Sequence, residues 1–292
     1  MPTRFQTVSF LSDLGVVDET VGVVRAVLRD MAPHVTVIDL THRVPPFDVR
    51  AGSLALARSI GYVPTGVVMA AVDARTSVDR PLVAIEVAGG EGVLIGPDNG
   101  LLAPAVAMAG GAERAVLLTN AELHLQSPGA LLLPRDVMAP AAAHLCNGGE
   151  LTDLGELVDA DTLLPGVVPL PRDAADGGVA AEVLWVDHVG NCQLNVGPDD
   201  LPWGAVPGLR LSIAAGEAVR VAELVAGPSA LGPGSFGLMA DPYGMLSLVL
   251  DRRSAAEELG VATGDQVTIA PLAEGGATAV TSPVVLRRPP DR

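Results

Sequence analysis

Short, nearly continuous apolar runs alternate with amphipathic stretches through the first half of the chain. Residues 6–12 (Gln-Thr-Val-Ser-Phe-Leu-Ser) read as a buried strand, Asp13-Leu14-Gly15 as a turn, and residues 20–30 as a helix with Val21, Val24 and Leu28 on one face. Residues 35–40 predict a second strand and 48–60 a second helix. The run 66–72 predicts a third strand whose unbroken apolar character suits burial on both faces of a sheet. Residues 83–88 and 92–95 predict a hairpin around Gly89-Gly90, and an alanine-rich helix is expected from Leu101 and another over 139–145. This alternation predicts an α/β N-terminal domain with a mostly parallel sheet. Its functional loops should lie at the carboxyl ends of the strands, where Asp13, Thr41-His42 and Asp73 fall.

The pattern changes in the second half. A stretch rich in Pro, Gly and Asp precedes short alternating segments at 179–186, 210–213, 218–224, 246–250 and 266–269, separated by Gly and Pro turns. The expected organisation is an α/β ligand-binding domain over 1–165, a linker over 166–178 and a smaller all-β, barrel-like C-terminal domain over 179–286.

Composition narrows the chemistry. Of 292 residues, 49% are hydrophobic and 18% charged, and mean hydropathy is +0.42. Yet Pro, Gly or charge breaks each apolar run well short of the ~18 residues a spanning helix needs, so no membrane partner is expected. The start, Met-Pro-Thr-Arg-Phe-Gln, lacks the basic-then-apolar signature of a secretory signal, and a cytoplasmic protein is expected. All 18 basic residues are arginines, which excludes Schiff-base and phosphate-loop lysine chemistry. The net charge of −16 disfavours nucleic acid and favours cationic ligands. Two distant cysteines and five scattered histidines show no metal-ligand spacing, so neither a metal nor a cofactor is expected.

Four loops carry candidate chemistry, each beside a plainer reading. Asp13 and Asp18 flank a strand-to-helix junction and suit a diol or an ammonium, while Asp18 is equally a helix cap. Asp73 ends the buried strand with Arg80 seven residues on. Such a pair can hold a carboxylate ionised and aimed at a water, or serve as a structural ion pair. Asp187 and Asn191 share one tight turn and are also ordinary turn formers. Phe47, one of only four phenylalanines, sits on a loop where its ring can stack on a flat ligand or pack in the core.

In their order along the chain, these segments resemble the S-adenosyl-L-methionine hydroxide adenosyltransferase family, water-using relatives of the fluorinase and chlorinase. The matching pieces are Ser12-Asp13-Leu14-Gly15, Asp39-Leu40-Thr41-His42, Pro46-Phe47-Asp48-Val49, Val72-Asp73 with Arg80, Gly96-Pro97-Asp98-Asn99-Gly100, residues 135–145, and 187–195. The resemblance implies an α/β domain, a smaller β domain, and a homotrimer whose sites lie between one subunit's N-domain and its neighbour's C-domain. It implies attack of water at the ribose C5′ of S-adenosyl-L-methionine as substrate, with methionine leaving. It places Asp73 and Arg80 at the water as catalytic residues and Asp13 on the ribose hydroxyls. Asp18 and Asp187 then fall near the methionine ammonium, Phe47 against the nucleoside and Asn191 on the adenine edge. The anionic Asp73 would repel a halide, so hydrolysis is favoured over halogenation.

The sequence departs from the family pattern at identifiable positions. Leu133 stands where the family has a histidine of its water-activating set, and Ala74-Arg75-Thr76-Ser77 replaces a glycine-bearing loop. Asp241-Pro242-Tyr243-Gly244 and Asp251-Arg252-Arg253 replace motifs richer in Asn and Gly. Three readings stay open at this point: hydrolysis by Asp73 and Arg80 alone, replacement of the histidine by another such as His124, or an adenosyl-ligand-binding protein with lost or altered activity. His42 and His144 belong to segments that read as structural.

Overall fold

The computed structural model describes residues 3–74, 81–174 and 177–272. The chain folds as two compact units, Met1–Val168 and Pro169–Arg292.

The N-terminal unit is built on β1 (Thr7–Ser12), β2 (Thr36–Thr41), β3 (Val67–Ala71), β4 (Leu82–Val87), β5 (Gly92–Pro97), β6 (Arg114–Leu117) and β7 (Leu157–Val158), ordered β2-β1-β3-β5-β4-β6-β7. Strands β2, β1, β3 and β5 pair in parallel, and every residue of β3 is buried. The expected hairpin turns through Ala88–Gly90, so β4 pairs antiparallel with both β5 and β6, and β7 is added antiparallel to β6. The sheet is therefore mixed, with a parallel core. The parallel half sends the carboxyl ends of β1, β2 and β3 to one edge, which is where ligand loops gather in such sheets.

Helix α1 (Thr20–Met31) buries Val21, Val24 and Leu28, the face read from the sequence. Helix α2 (Val49–Ile60) starts at Asp48, whose side chain accepts the Ala51 amide and caps the first turn. A Cβ on Gly52 would come within 2.9 Å of both Val72 Cγ2 and Leu101 Cδ1, so glycine lets α2 approach the end of β3 closely. Helix α3 (Ala103–Met108) is the short alanine-rich element. A wider π-type turn, Pro134–Met138, leads into α4 (Ala139–Cys146), which is buried along most of its length.

The C-terminal unit closes on itself. β9 (Val179–Val186), β10 (Cys192–Leu194), β14 (Leu246–Leu250), β13 (Phe236–Ala240), β12 (Ala218–Leu224), β11 (Arg210–Ala215) and β15 (Gln266–Pro271) pair in that order, and β15 returns to β9. Closure leaves these seven strands without a bare edge, and β8 (Arg172–Asp173) adds to β9 outside the ring. Among the described residues of this unit, only β12 and β13 pair in parallel. The interior is filled by side chains such as Val183, Leu194, Leu211, Ile213 and Leu248. β6, β7, β8 and β13 were not read from the sequence; they are two to five residues long and carry too little pattern to show a period. Among the described residues no helix is long and apolar enough to cross a membrane.

One buried charge joins the antiparallel half. Glu86 on β4 is 4% exposed and accepts from Arg4 Nη2 at 2.9 Å and from Arg114 Nε on β6 at 2.6 Å. The Arg114 bond holds the Glu86 carboxyl below its ordinary value of 4.5, with burial opposing. A depressed carboxyl stabilises the fold above its unfolded value, and that contribution is lost as pH falls through the folded one. Glu86→Gln is expected to cost about 1–3 kcal/mol near neutral pH. In urea melts, the gap between variant and wild type should narrow below about pH 4.

Candidate active site

Three strand ends meet around one carboxylate. Asp13 follows β1 directly, and its amide donates to the carbonyl of Ala71 on β3 at 3.2 Å. Its Oδ2 accepts two more amides, from Phe47 at 2.9 Å and from Asp73 at 3.1 Å. Phe47 and Asp73 have φ of 66° and 48°, so both donors are non-glycine residues in the sparsely populated left-handed region. Asn99 braces the same edge: its Nδ2 donates to the Val72 carbonyl at 3.1 Å, and its Oδ1 accepts the Leu101 amide. The Gly96-Pro97-Asp98-Asn99-Gly100 turn thus holds the residue before Asp73, a role the sequence reading did not assign.

These residues enclose a cavity of about 400 Å³, lined by Asp13, Leu14, Phe47, Asp73 and Ala74 on one side and by Leu131, Leu132, Leu133 and Pro134 on the other. Asp73 is 9% exposed, whereas Phe47 is 59% exposed at the same cavity. The second wall is fixed by Asp136, which is fully buried, accepts the Leu132 amide at 2.7 Å and pairs with Arg135. That pairing lowers the Asp136 carboxyl against the opposing effect of burial. Two carboxylates therefore face an apolar wall and an exposed ring. The combination suits a ligand with hydroxyls or a cationic centre at one end and a flat apolar portion at the other.

The other expected site residues are distributed differently. Asp18 does not line this cavity; its Oδ1 accepts the Thr20 amide at 3.0 Å at the start of α1, and that bond lowers its carboxyl. This is a local turn bond one residue ahead of the helix cap, which is Glu19 and carries no side-chain cap bond, so Asp18 is not itself the cap. Arg80 lies outside the described residues, as does Arg75. Leu133, 4% exposed, presents an apolar side chain to the cavity where the family pattern calls for histidine. His124 does not line the cavity either; burial pushes its pKa down, opposed by a bond to the Leu118 backbone. Cys146 and Cys192 are buried, and burial raises both thiols to about 12, which keeps them protonated. Among the described residues, no group of three or more His, Cys, Asp or Glu side chains has the arrangement to hold a metal ion.

In the C-terminal unit, Asp187 and Asn191 sit on one turn and bind each other. Asp187 Oδ1 accepts the amides of Val189 and Asn191, both at 2.9 Å, and Oδ2 accepts Asn191 Nδ2 at 2.8 Å. Gly190 between them has φ of 89°, and a Cβ there would lie 2.1 Å from Ser254 Oγ, so the turn requires glycine. Asn191 and Arg252 line a second cavity of about 530 Å³ within this unit. Arg252 holds φ of 55°, a conformation that glycine adopts without penalty.

The two-unit fold agrees with what the chain is similar to. Residues 8–155 match the profile described as SAM hydroxide adenosyltransferase N-terminal domain, and residues 181–268 match the corresponding C-terminal domain. The chain is 38% identical over 265 residues to an (R)-S-adenosyl-L-methionine hydrolase of Salinispora tropica, covering 90% of this chain and 97% of the relative. It is 26% identical over 293 residues to a fluorinase of Nocardia brasiliensis, covering 91% and 97%. A crystal structure of an uncharacterized conserved protein from Thermotoga maritima superposes with a TM-score of 0.82 at 27% identity, covering 90% of this chain and 99% of that one.

Replacing the central carboxylate tests the architecture of the cavity. Asp13→Ala should speed hydrogen exchange at the Phe47 and Asp73 amides by about 10- to 100-fold, the equivalent of losing one charge-assisted bond each, with most other amides unchanged. Exchange mass spectrometry reads this directly.

Proposed function

The chain belongs to the S-adenosyl-L-methionine hydroxide adenosyltransferase family, and from that premise we propose that it hydrolyses S-adenosyl-L-methionine to adenosine and L-methionine. The observation that carries this reading is the pair Asp13 and Asp73, held by hydrogen bonds at one strand edge and facing a common cavity with Phe47.

The reaction balances without a cofactor. The oxygen of water forms a bond to the ribose C5′ as the C5′–S bond breaks, and the bonding pair goes to sulfur, which leaves as a neutral thioether. One proton is released from the attacking water. Asp13 is assigned to the ribose hydroxyls, where a carboxylate fixed by two amides orients the sugar. Asp73 is assigned to the water, accepting its hydrogen bond on the side away from sulfur. An anion there repels a halide, which favours water as nucleophile. Greater identity to the hydrolase than to the fluorinase supports the same choice.

Leu133 supplies no proton acceptor, and the chemistry tolerates this. Once the C–O bond forms, the oxygen is that of a protonated alcohol and far more acidic than water, so its proton departs readily to Asp73 or to solvent. A general base contributes typically about 10²- to 10⁴-fold, so its absence slows the reaction without abolishing it. Phe47 is assigned to the nucleoside, Asn191 to the adenine edge, and Asp18 and Asp187 to the methionine ammonium. Arg80, outside the described residues, is assigned to Asp73 as its partner. The assembly is proposed to be a homotrimer, as the family resemblance implies.

A specific observation favours keeping a second reading. The apolar Leu133 wall would equally suit a protein that holds an adenosyl ligand without turning it over. The experiment that separates the two is chromatography of the purified protein with S-adenosyl-L-methionine. Adenosine and methionine should appear in equal amounts, with no halogenated nucleoside in chloride or fluoride. Asp73→Asn should lower kcat by about 10²-fold or more. Binding by calorimetry without any adenosine release would establish the binding protein instead.

A further inference from the structure

His42, immediately after β2, is a buried side chain that the proposed reaction leaves unused. It is 5% exposed and touches the acidic loop twice. Its Nδ1 lies 2.8 Å from Ser12 Oγ, and its carbonyl accepts the Gly15 amide at 2.9 Å. Ser12 and Gly15 bracket Asp13 and Leu14, so one residue holds the loop on both sides of the carboxylate that faces the cavity. The ring itself is set from behind. Its Nε2 lies 3.1 Å from Asp39 Oδ1, an electrostatic approach rather than an aligned hydrogen bond, and Asp39 Oδ2 pairs with Arg25 of α1 at 3.3 Å. Phe10 meets the ring edge-on with centroids 4.6 Å apart.

The arrangement assigns the ring nitrogens. A carboxylate beside Nε2 favours the proton on that nitrogen, which leaves Nδ1 to accept the Ser12 hydroxyl. The Ser12 oxygen, with its proton committed to His42, then accepts the Leu14 amide at 3.3 Å. Ser12 is fully buried and lies behind the loop, so this array has no access to a substrate bond and is not a nucleophilic triad. Its reach is to the backbone on either side of Asp13.

We propose that His42 is a positioning residue: through Ser12 and Gly15 it sets the Asp13 carboxylate, and through Asp13 Oδ2 it sets the Phe47 and Asp73 amides. The enzymatic part of this proposal rests on the hydrolase reading above, whereas the structural part does not. His42→Phe keeps an aromatic ring against Phe10 and removes both nitrogens. Ser12→Ala removes the same bond from the other side with little change in volume. His42→Asn returns an acceptor near the Nδ1 position.

By hydrogen exchange on the full chain, His42→Phe and Ser12→Ala should each speed exchange at the Phe47 and Asp73 amides by about 5-fold or more. The double variant should be no faster than the faster single variant, because both changes remove one shared bond. In adenosine release, both should raise KM by about 10-fold with kcat changed by less than about 3-fold, and His42→Asn should recover most of the loss. Unchanged exchange at Phe47 and Asp73 in a folded His42→Phe or Ser12→Ala protein would overturn the proposal. So would additive effects, or a lowered melting temperature with KM unchanged, since either describes packing alone. If the wild type releases no adenosine, the hydrolase reading fails while the exchange measurements still decide the positioning role. If His42→Phe does not fold, Ser12→Ala decides the same bond.

Discussion

Asp13 Oδ2 takes two amide hydrogens at once, from a loop after β2 and from the end of β3. Each donor is a non-glycine residue with positive φ, a strain of order 1–3 kcal/mol apiece. A hydrogen bond to a charged acceptor contributes about 1.5–3 kcal/mol net, so the two terms are of similar size and one offsets the other. A neutral or absent side chain at position 13 would leave the strain without its compensation. The shape of the cavity therefore depends on the charge of one residue, and the same charge faces any ligand that enters.

The supports of that carboxylate come from separate parts of the N-terminal unit. Gly52 lets α2 approach Val72, Asn99 holds the Val72 carbonyl, and Ser12 and His42 hold the turn between β1 and α1. Opposite them, buried Asp136 fixes the segment that presents Leu133. The result is a polar edge facing an apolar one across about 400 Å³. A cationic sulfonium that leaves as a neutral thioether suits both walls, since carboxylates attract the substrate and the apolar face favours dispersal of its charge. The strongly acidic composition fits the same ligand, because a net charge of −16 favours a cation.

Much of the fold was legible because its signals are long or chemically distinct. The apolar runs of β1 and β3, the helical face of α1 and the cap at Asp48 each carry several residues of pattern. Phe47 stood out because aromatic residues are scarce in this chain, and it lines the cavity. Other features lacked such a signal. β6 and β13 are short; β6 follows Gly110-Gly111, and β13 lies between Gly232-Pro233-Gly234 and Pro242-Tyr243-Gly244. The local bond of Asp18 to Thr20 and the mutual bonds of Asp187 and Asn191 cannot be told from spacing, since the same residues at the same intervals suit a ligand equally well.

By itself, the sequence determined the longer elements of the N-terminal unit, where β1, β2 and β3 end, and which residue types are available at those ends, because periodicity and chain punctuation act over a few neighbouring residues. It also determined that position 133 brings no proton acceptor. Tertiary structure decided that residues 13, 47 and 73 share one carboxylate oxygen and that His42 grips the turn from both sides. Those contacts join positions up to 60 residues apart, and their geometry follows from strand order and register, which no local pattern encodes.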